Sequence, residues 1–338
     1  MDNSELLKKV SNAAIYGNKE LWSMNIDSFD WVPGVGLYGI YSAYCATKDK
    51  ELLDFLIEWT DKHLMTAYEK TTVNSTCPLS MVIDLYKITK KNEYLKVCTD
   101  IAEYIISEAP ITREGGLEHT VTEANGDFSE QMWADTLFMA VLFLVKMGIV
   151  VDKKYSDFAV KQLKIHLKYL FDDEKGLFYH GWNCAAENHM SAVFWARANA
   201  WIIYSTAEII SILGDFDGVE EVCGYIKHHA ESLRKLQRKN GAFGTILDDE
   251  TSYDEASAVA GIISGVKKSI ELNILSEDYN EVYDKGIDYI KRSIDENGEL
   301  LHVSSGTPIM KNAEKYKNVP ICPTLYGQGL AAVALSME

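Results

Sequence analysis

Apolar residues recur at helical spacing in about a dozen segments, which are separated by clusters of Gly, Asn, Asp and Lys. No long stretch alternates between apolar and polar residues, so a large β-sheet is not expected. The pattern predicts helices over roughly residues 4–16, 35–47, 50–68, 78–89, 92–107, 130–147, 154–170, 192–213, 217–238, 254–271, 277–292 and 322–336.

A short glycine-turn motif returns between pairs of these helices. Its four copies read EGGLEHT (114–120), EKGLFYHGW (174–182), KNGAFGTIL (239–247) and ENGELLHVS (296–304). The motif glycines Gly116, Gly176, Gly241 and Gly298 lie about 60 residues apart, the length of two helices and a turn. Such a period predicts an all-α (α/α)6 barrel, a single domain over residues 1–338 with short β-turn segments at its mouth. An open solenoid is the alternative, but polar capping repeats are missing.

Composition narrows the possible partners. The 338 residues include 33 Lys and Arg against 50 Asp and Glu, a formal net charge of −17. This field repels nucleic acid and anionic membrane surfaces, so neither is an expected partner, and an acidic substrate would need a local cation. The sequence shows no signal-peptide pattern and no apolar run of membrane-spanning length. Six scattered cysteines without a CxxC pair indicate free thiols in a reducing cytoplasm.

The first candidate for chemistry is the stretch DFSEQMWADTLFMAVLFL (127–144). Read as a helix capped by Ser129, it places Asp135 about two turns in, with Met132 and Met139 on the same face. Burial among such residues is expected to raise the pKa of the Asp135 carboxyl, which could then act as a general acid near neutral pH. The alternative is a structural aspartate hydrogen-bonded to backbone or to an arginine.

The second candidate is FWARANAWIIYSTAEII (194–210), which is apolar almost all round and therefore predicts a buried helix. Arg197 and Trp201 are i,i+4 neighbours and are expected to share a face. They could form a structural cation–π pair, or Arg197 could bind a uronate carboxylate while the sugar ring stacks on tryptophan. The nearby sequence YHGWN adds His180 and Trp182, which suit carbohydrate binding.

Other chemistries have weaker support in the sequence. No HExxH or other tight ligand spacing appears, so neither a metal nor a cofactor site is expected, and P-loop and GxSxG motifs are absent. The sequence GVGLYG (34–39) matches GxGxxG letter for letter. Because Pro33 precedes it and no βαβ pattern surrounds it, it is interpreted as a loop before a helix.

Six motifs together resemble glycoside hydrolase family 105, the unsaturated rhamnogalacturonyl hydrolases, and more distantly family 88, the unsaturated glucuronyl hydrolases. They are GGLEHT, QMWADTLFM, YHGW, WARANAW, SYDEASA (252–258) and LYGQGL (325–330). They occur in the family's order and span most of the chain. WADTLFM and WARxNxW are the specific ones, since glycine turns alone would be weak support.

The resemblance implies a hydrolase without metal or cofactor, acting on short oligosaccharides that carry a 4,5-unsaturated uronic acid at the non-reducing end. In such enzymes an aspartate protonates C4 of the vinyl ether and water adds at C5, unlike ordinary two-carboxylate cleavage. The hemiketal then opens and expels the neighbouring sugar. The resemblance assigns the acid to Asp135. It implies substrate contacts from Trp31, Asn74, His119, Met132, Trp133, His180, Trp182, Trp195, Arg197, Asn199, Trp201 and Tyr326.

Two departures from the family pattern affect this reading. Ala196, Ala198 and Ala200 stand where relatives often have glycine, so their methyl groups could narrow the pocket or only pack. Many relatives carry a second aspartate near TTVNSTCPLS, where Asn74 is the nearest candidate here. The alternatives to an unsaturated rhamnogalacturonyl hydrolase are an unsaturated glucuronyl hydrolase and a catalytically inactive sugar-binding toroid.

Overall fold

The computed structural model of the chain describes residues 3–122 and 128–337, so Asp127 of the first candidate stretch lies outside the described residues. Helices dominate this part of the chain, as the apolar periodicity predicts. The thirteen α-helices of the described residues are α1 (Asn3–Tyr16), α2 (Trp31–Thr47), α3 (Lys50–His63), α4 (Leu79–Thr89), α5 (Asn92–Ser107), α6 (Leu142–Val150), α7 (Lys153–Leu170), α8 (Ala196–Leu213), α9 (Val219–Leu236), α10 (Ala256–Glu271), α11 (Asn280–Ser293), α12 (Ala313–Lys317) and α13 (Leu325–Leu335).

Twelve of these helices form two concentric rings, which confirms the predicted (α/α)6 barrel. The inner helices α2, α4, α6, α8, α10 and α13 pack each against the next, and α13 returns to α2. The odd-numbered helices from α1 to α11 cover them. Burial follows the rings: fourteen of the eighteen residues of inner helix α8 are buried, against five of eighteen in outer helix α9. No helix of the described residues is long and apolar enough to cross a bilayer.

The ring closes where the backbones of α2 and α13 approach each other. A Cβ atom on Gly39 would lie 2.3 Å from the Gly329 carbonyl oxygen, and one on Gly329 would lie 2.1 Å from the Val35 carbonyl oxygen. Only glycine permits this contact. The sequence GVGLYG (34–39) is therefore part of α2, and its interpretation as a loop was wrong because its glycines serve helix packing.

The glycine-turn motifs form short β-structures at one end of the barrel, after outer helices. The strands found in the described residues are β1 (Gln131–Trp133), β2 (Phe171–Asp172), β3 (Leu177–Phe178), β4 (Gly181–Asn183) and β5 (Asn188–His189). Strands β1, β4 and β5 form an antiparallel sheet, and β2 pairs with β3. Gly176, Gly241 and Gly298 have left-handed backbones, whereas in the first motif Gly115 takes this role in place of Gly116. The predicted turns at the mouth are thus confirmed.

The helix predicted over residues 130–147 is wrong in its first part. The segment begins with strand β1, continues through a π-helical turn (Leu137–Val141), and becomes α-helical only in α6. Ser129 therefore precedes a strand and does not start a helix, and Met132 and Met139 do not share a helical face. The cause is the pairing of β1 with β4, which lies about fifty residues further along the chain and is invisible to local periodicity.

Replacement of glycine by alanine should have opposite effects on the free energy of unfolding at two helical glycines, one at the contact between α2 and α13 and one on outer helix α9. Gly39→Ala should lower the free energy of unfolding by about 1–3 kcal/mol, because its methyl group meets the backbone of α13. Gly224→Ala, on exposed helix α9 where a Cβ meets nothing within 4 Å, should raise it by about 0.5–1 kcal/mol. Denaturant titration of both variants measures this, and equal effects would contradict the packing role of Gly39.

Candidate active site

A cavity of about 310 Å³ opens at the barrel end that carries the β-structures. This volume lies at the lower end of the range for small-molecule sites, about 300–1,000 Å³. Its lining combines aromatic rings with several polar side chains. The residues that line it are Trp22, Trp31, Asn74, His119, Val121, Phe128, Trp133, Asp135, Trp195, Arg197, Ser305, Gly306, Thr307 and Pro308.

Strand pairing brings Asp135 and His180 together. The backbone N–H of Ala134 donates to the His180 carbonyl oxygen at 2.9 Å, which extends the β1–β4 pairing by one residue. As a result, His180 Nε2 lies 3.1 Å from Asp135 Oδ2. The Asp135 side chain keeps 16% of its surface exposed, whereas the His180 side chain is fully buried. The acid predicted from the sequence thus faces the cavity with an imidazole behind it.

The pKa of Asp135 is lowered from its usual value, so the expectation of a raised pKa was wrong. Burial raises the pKa of this carboxyl, but the interactions with His180, together with smaller ones with His119 and the backbone, outweigh the burial. Sequence reasoning considered the apolar surroundings of Asp135 and not its imidazole partner. Asp135 is therefore coupled to His180 and is not an isolated neutral carboxyl.

His119 lies on the same wall of the cavity, and its own imidazole is neutral. Its ring stacks on Trp133 with centroids 4.2 Å apart and an interplanar angle of 4°. Burial lowers the pKa of His119 to about 4. Its Nδ1 atom is buried and has no hydrogen-bond partner among the described residues. His119 can therefore hydrogen-bond a ligand without carrying a charge at neutral pH.

Tryptophan rings supply the stacking surface. Trp31 stacks on Tyr326 with centroids 5.0 Å apart, so Tyr326 lies beneath the cavity lining and supports it. The Tyr326 hydroxyl donates to the Ser304 carbonyl oxygen at 2.6 Å. On the other side, the ring of Trp195 lies 4.2 Å from that of His180. Flat apolar faces of this kind bind the C–H faces of sugar rings.

Arg197 reaches the cavity but is also bound to buried protein groups. The side chain is 1% exposed, and its Nη1 atom lies 3.2 Å from Glu255 Oε1 and 2.6 Å from Ser304 Oγ. Its Nη2 atom donates to the Ser305 carbonyl oxygen at 3.1 Å and to Thr307 Oγ1 at 3.2 Å. Both terminal nitrogens are therefore committed, and a bidentate grip on a substrate carboxylate would require displacing protein acceptors.

The ring partners of Arg197 also differ from the expected one. Its guanidinium lies 4.5 Å from the ring centroid of Trp195 and 4.8 Å from that of Tyr326. Trp201 is fully buried and packs on Phe138 at 4.9 Å instead. The predicted cation–π pair with Trp201 was therefore wrong, because the guanidinium turns toward the start of α8 and the 304–307 segment.

Six residues implied by the resemblance do not line the cavity: His180 and Tyr326, described above, and Met132, Trp182, Asn199 and Trp201. Trp201 belongs to the core, and Met132 is completely buried in β1. Asn199 uses its amide for the backbone of Phe178, accepting from the N–H and donating to the carbonyl at 2.9 Å each. Trp182 lies between the rings of Tyr169 and His189. These side chains pack in, or hydrogen-bond to, the structure that surrounds the cavity.

The alanines of the tryptophan motif have packing roles. Ala196, Ala198 and Ala200 are fully buried in α8 and are absent from the cavity lining described above. The Ala200 methyl group faces α10, where a Cβ placed on Gly261 would lie 2.8 Å from it. Of the two readings that the sequence allowed, packing is therefore the one that the structure supports.

Sequence reasoning missed several lining groups. Trp22 is 54% exposed at the mouth, and the segment 305–308 forms part of the wall. The Ser-, Gly-, Thr- and Pro-rich composition of SSGTP, directly after the fourth turn motif, was the available signal. Glu255 lies in the motif SYDEASA, yet nothing local indicates that it pairs with Arg197.

Among the residues the structure describes, no cluster of three His, Cys, Asp or Glu side chains could hold a metal ion.

A helical barrel whose mouth holds an acidic group among tryptophans is typical of enzymes that act on carbohydrates. The chain belongs to Glycosyl Hydrolase Family 88, whose model matches residues 6–337, and it is therefore a glycoside hydrolase. The sequence is 36% identical to the unsaturated rhamnogalacturonyl hydrolase YesR of Bacillus subtilis, over 91% of this chain and 89% of that protein.

Solved structures agree with this family. A possible member of family GH105 from Salmonella enterica superposes with a TM-score of 0.94 at 28% identity, over 99% of this chain and 93% of the other. The unsaturated glucuronyl hydrolase of Bacillus sp. GL1 matches with a TM-score of 0.75 at 16% identity, over 98% and 93% of the two chains, and shares the fold. The resemblance read from the motifs is thus confirmed.

The buried ion pair predicts a large stability effect at Arg197. Arg197→Ala should lower the free energy of unfolding by about 3–5 kcal/mol, because it leaves the Glu255 carboxylate buried without its partner. The double variant Arg197→Met, Glu255→Leu should recover much of this loss. Arg234→Ala, which removes an exposed ion pair with Asp278, is the control and should change stability little.

Denaturant unfolding of these variants measures the effect. If Arg197→Ala left stability unchanged while raising KM, Arg197 would be a dedicated substrate ligand and not a core ion pair.

Proposed function

We propose that this hydrolase removes a 4,5-unsaturated uronic acid from the non-reducing end of short oligosaccharides by hydration of the vinyl ether. The observation that carries the proposal is the arrangement of one carboxyl, Asp135, with His180 at its back and a cavity in front. Asp135 is the one carboxylate among the described lining residues. Ordinary glycosidases need two carboxyl groups about 5–9.5 Å apart, whereas vinyl-ether hydration needs one proton donor.

The reaction begins with transfer of the shared proton. The Asp135–His180 pair gives a proton to C4 of the double bond, and positive charge develops at C5 and the ring oxygen. The Asp135 carboxylate, now without its proton, lies close enough to stabilise this charge. Entry of an anionic substrate into the cavity would also raise the pKa of Asp135 and favour the neutral acid.

Water completes the reaction. It attacks C5 and returns a proton to the Asp135–His180 pair, which restores the starting protonation state. The product of this addition is a hemiketal at C5, whose ring opens to a C5 ketone and a C1 hemiacetal. The hemiacetal then breaks down to an aldehyde and releases the neighbouring sugar as an alcohol. The net reaction consumes one water molecule and leaves the enzyme unchanged.

The substrate carboxylate is assigned to the wall formed by Arg197 and segment 305–308. Arg197 is the one guanidinium among the described lining residues, and because Glu255 pairs with its Nη1 atom, an acidic ligand would approach the Nη2 atom. Because its Nη2 atom binds Thr307 Oγ1, the carboxylate can reach the guanidinium by displacing that hydroxyl or can bind the hydroxyl itself. Trp133 and Trp195 then flank the unsaturated ring.

Asn74 lines the cavity and is assigned a hydrogen bond to the substrate. It begins a 3-10 helix (Asn74–Thr76), is 8% exposed and carries no charge. A carboxamide cannot transfer protons as a second aspartate could. Proton transfer is therefore assigned entirely to Asp135 and His180, and Asn74 to binding a ring hydroxyl.

The leaving sugar is proposed to be rhamnose, in line with the relative YesR. A second relative, the unsaturated 3S-rhamnoglycuronyl hydrolase of Alteromonas sp., is 28% identical over 60% of this chain and 50% of that protein. An unsaturated glucuronyl disaccharide is the competing substrate within the same reaction. A cytoplasmic location is also proposed, supported by six cysteines that are all free thiols.

Removing the acid should abolish most turnover without unfolding the protein. Asp135→Asn keeps the shape of the side chain but cannot donate the proton, so kcat should fall by about two to four orders of magnitude. The exposed variant Asp157→Asn is the matched control and should leave kcat unchanged. Loss of the ultraviolet absorbance of the unsaturated uronate measures turnover.

The saturated disaccharide tests the reaction type with the wild-type enzyme. Galacturonyl-rhamnose without the double bond should not be cleaved, because it offers no C4–C5 double bond to protonate. Release of rhamnose from it at a rate similar to that from the unsaturated compound would show an ordinary glycosidase. Near-normal turnover by Asp135→Asn would refute the assigned acid.

A further inference from the structure

A second set of hydrogen bonds lies behind His180, at the nitrogen that does not face Asp135. His180 Nδ1 lies 3.4 Å from the hydroxyl oxygen of Tyr316. That hydroxyl accepts from the backbone N–H of Met310 at 3.1 Å and lies 3.1 Å from Ser191 Oγ. Tyr316 and His180 are fully buried and Ser191 is 4% exposed, so these groups must satisfy one another.

The direction of these bonds follows from the number of hydrogens. Ser191 donates its hydroxyl hydrogen to the Val193 carbonyl oxygen at 2.8 Å, so towards Tyr316 its oxygen can only accept. Tyr316 therefore donates to Ser191, because otherwise two oxygen lone pairs would face each other at 3.1 Å. The Tyr316 oxygen, which already accepts from the Met310 N–H, is then an acceptor towards His180.

This direction fixes the tautomer of His180. With an acceptor at Nδ1, the imidazole keeps a hydrogen there, and Nε2 is left to exchange a proton with Asp135 across 3.1 Å. In the opposite tautomer, Nε2 would donate permanently to the Asp135 carboxylate and no proton would be available for transfer. A neutral imidazole of that kind would leave Asp135 ionised and unable to act as an acid.

We propose that Tyr316 is a positioning residue that fixes the Nδ1–H tautomer of His180, so that the Asp135–His180 pair holds one transferable proton. The consequence for turnover rests on the proposed function, whereas the tautomer can be measured without any substrate. Tyr316 itself does not line the cavity among the described residues.

The other groups around His180 leave Nδ1 to Tyr316. The titratable and charged groups of this neighbourhood are Asp135, His119, Tyr316, and Arg197 with its partner Glu255. Asp135 bonds the opposite nitrogen, and His119 stays neutral because burial lowers its pKa to about 4. Arg197 contacts the Trp195 ring and is neutralised by Glu255.

The Tyr316 hydroxyl also connects His180, and through it Asp135, to the loop that forms a wall of the cavity. Met310, whose N–H donates to Tyr316, lies two residues after the lining segment 305–308. Tyr316 lies on the short helix α12 of the same long loop. The Tyr316 hydroxyl therefore has two roles: it bonds the loop that shapes the cavity, and it fixes the tautomer of His180.

Nitrogen-15 NMR of histidine in the full chain tests the tautomer directly. In the wild type without substrate, His180 should carry its hydrogen at Nδ1. In Tyr316→Phe this hydrogen loses its acceptor, so the neutral ring should shift to the Nε2–H form. Tyr94→Phe removes the hydroxyl of another fully buried tyrosine, which donates to Asp61 and not to a group near His180, and should leave His180 unchanged.

The pH profile tests the consequence for turnover. In Tyr316→Phe the alkaline limb of kcat should move to lower pH by about one unit, because the protonated pair loses a hydrogen bond that stabilises it. A merely structural role would lower stability, as in Tyr94→Phe, without moving this limb.

Ser191→Ala provides an independent variant if Tyr316→Phe does not fold. Without the Ser191 acceptor, the Tyr316 hydroxyl can turn and donate to Nδ1, so His180 should again adopt the Nε2–H tautomer. A wild-type His180 with an unprotonated Nδ1 at neutral pH, or an unshifted kcat profile in Tyr316→Phe, would overturn the proposal. Failure of the wild type to cleave unsaturated disaccharides would refute the proposed function instead, and the NMR result would still decide the tautomer.

Discussion

The buried charge of Arg197 is the constraint on which the site depends. A guanidinium removed from water needs a countercharge and hydrogen-bond acceptors, and the start of α10 and the segment 304–307 supply these to the two terminal nitrogens of Arg197. Glu255 supplies the charge and also caps α10, accepting from Ala258 N at 2.6 Å and from Ser304 N at 2.9 Å. The Ser257 hydroxyl and the segment 304–307 supply further acceptors for the two terminal nitrogens. One ion pair thus fixes the starts of α8 and α10 and a wall of the cavity.

Two hydrogen-bonded networks flank the ring of Trp195, and they have different tasks. On one face the Arg197–Glu255 pair keeps its protons and sets the local potential. On the other, His180 contacts Asp135 through Nε2 and Tyr316 through Nδ1, which is the network to which proton transfer is assigned in the proposed reaction. The two networks share no hydrogen bond, so each can be altered by substitution without directly removing a hydrogen bond of the other.

The sequence was sufficient for the parts that are local or repeated. Glycine turns about 60 residues apart and helical periodicity predicted the barrel, and the motifs predicted Asp135, His180 and most of the tryptophans. What could not be predicted depends on pairing across the chain. The β1–β4 pairing replaces the first part of a predicted helix, and Arg197 finds Glu255 fifty-eight residues away. The direction of the pKa shift at Asp135 was predicted wrongly for the same reason, because it depends on His180 and not on residues that are close in sequence.

The glycine contact between α2 and α13 can form only after α13 has been synthesised, because it joins an early helix of the chain to a late one. Trp31 and Tyr326 stack beneath the cavity, and Asn3 donates to the Leu335 carbonyl oxygen at 2.9 Å, so the first and last described segments of the chain meet. During synthesis on the ribosome, the inner helices therefore emerge as an incomplete ring with an uncovered apolar edge. The aromatic floor of the cavity forms only when the final inner helix arrives, and a nascent chain that stops earlier has no assembled site to bind a sugar.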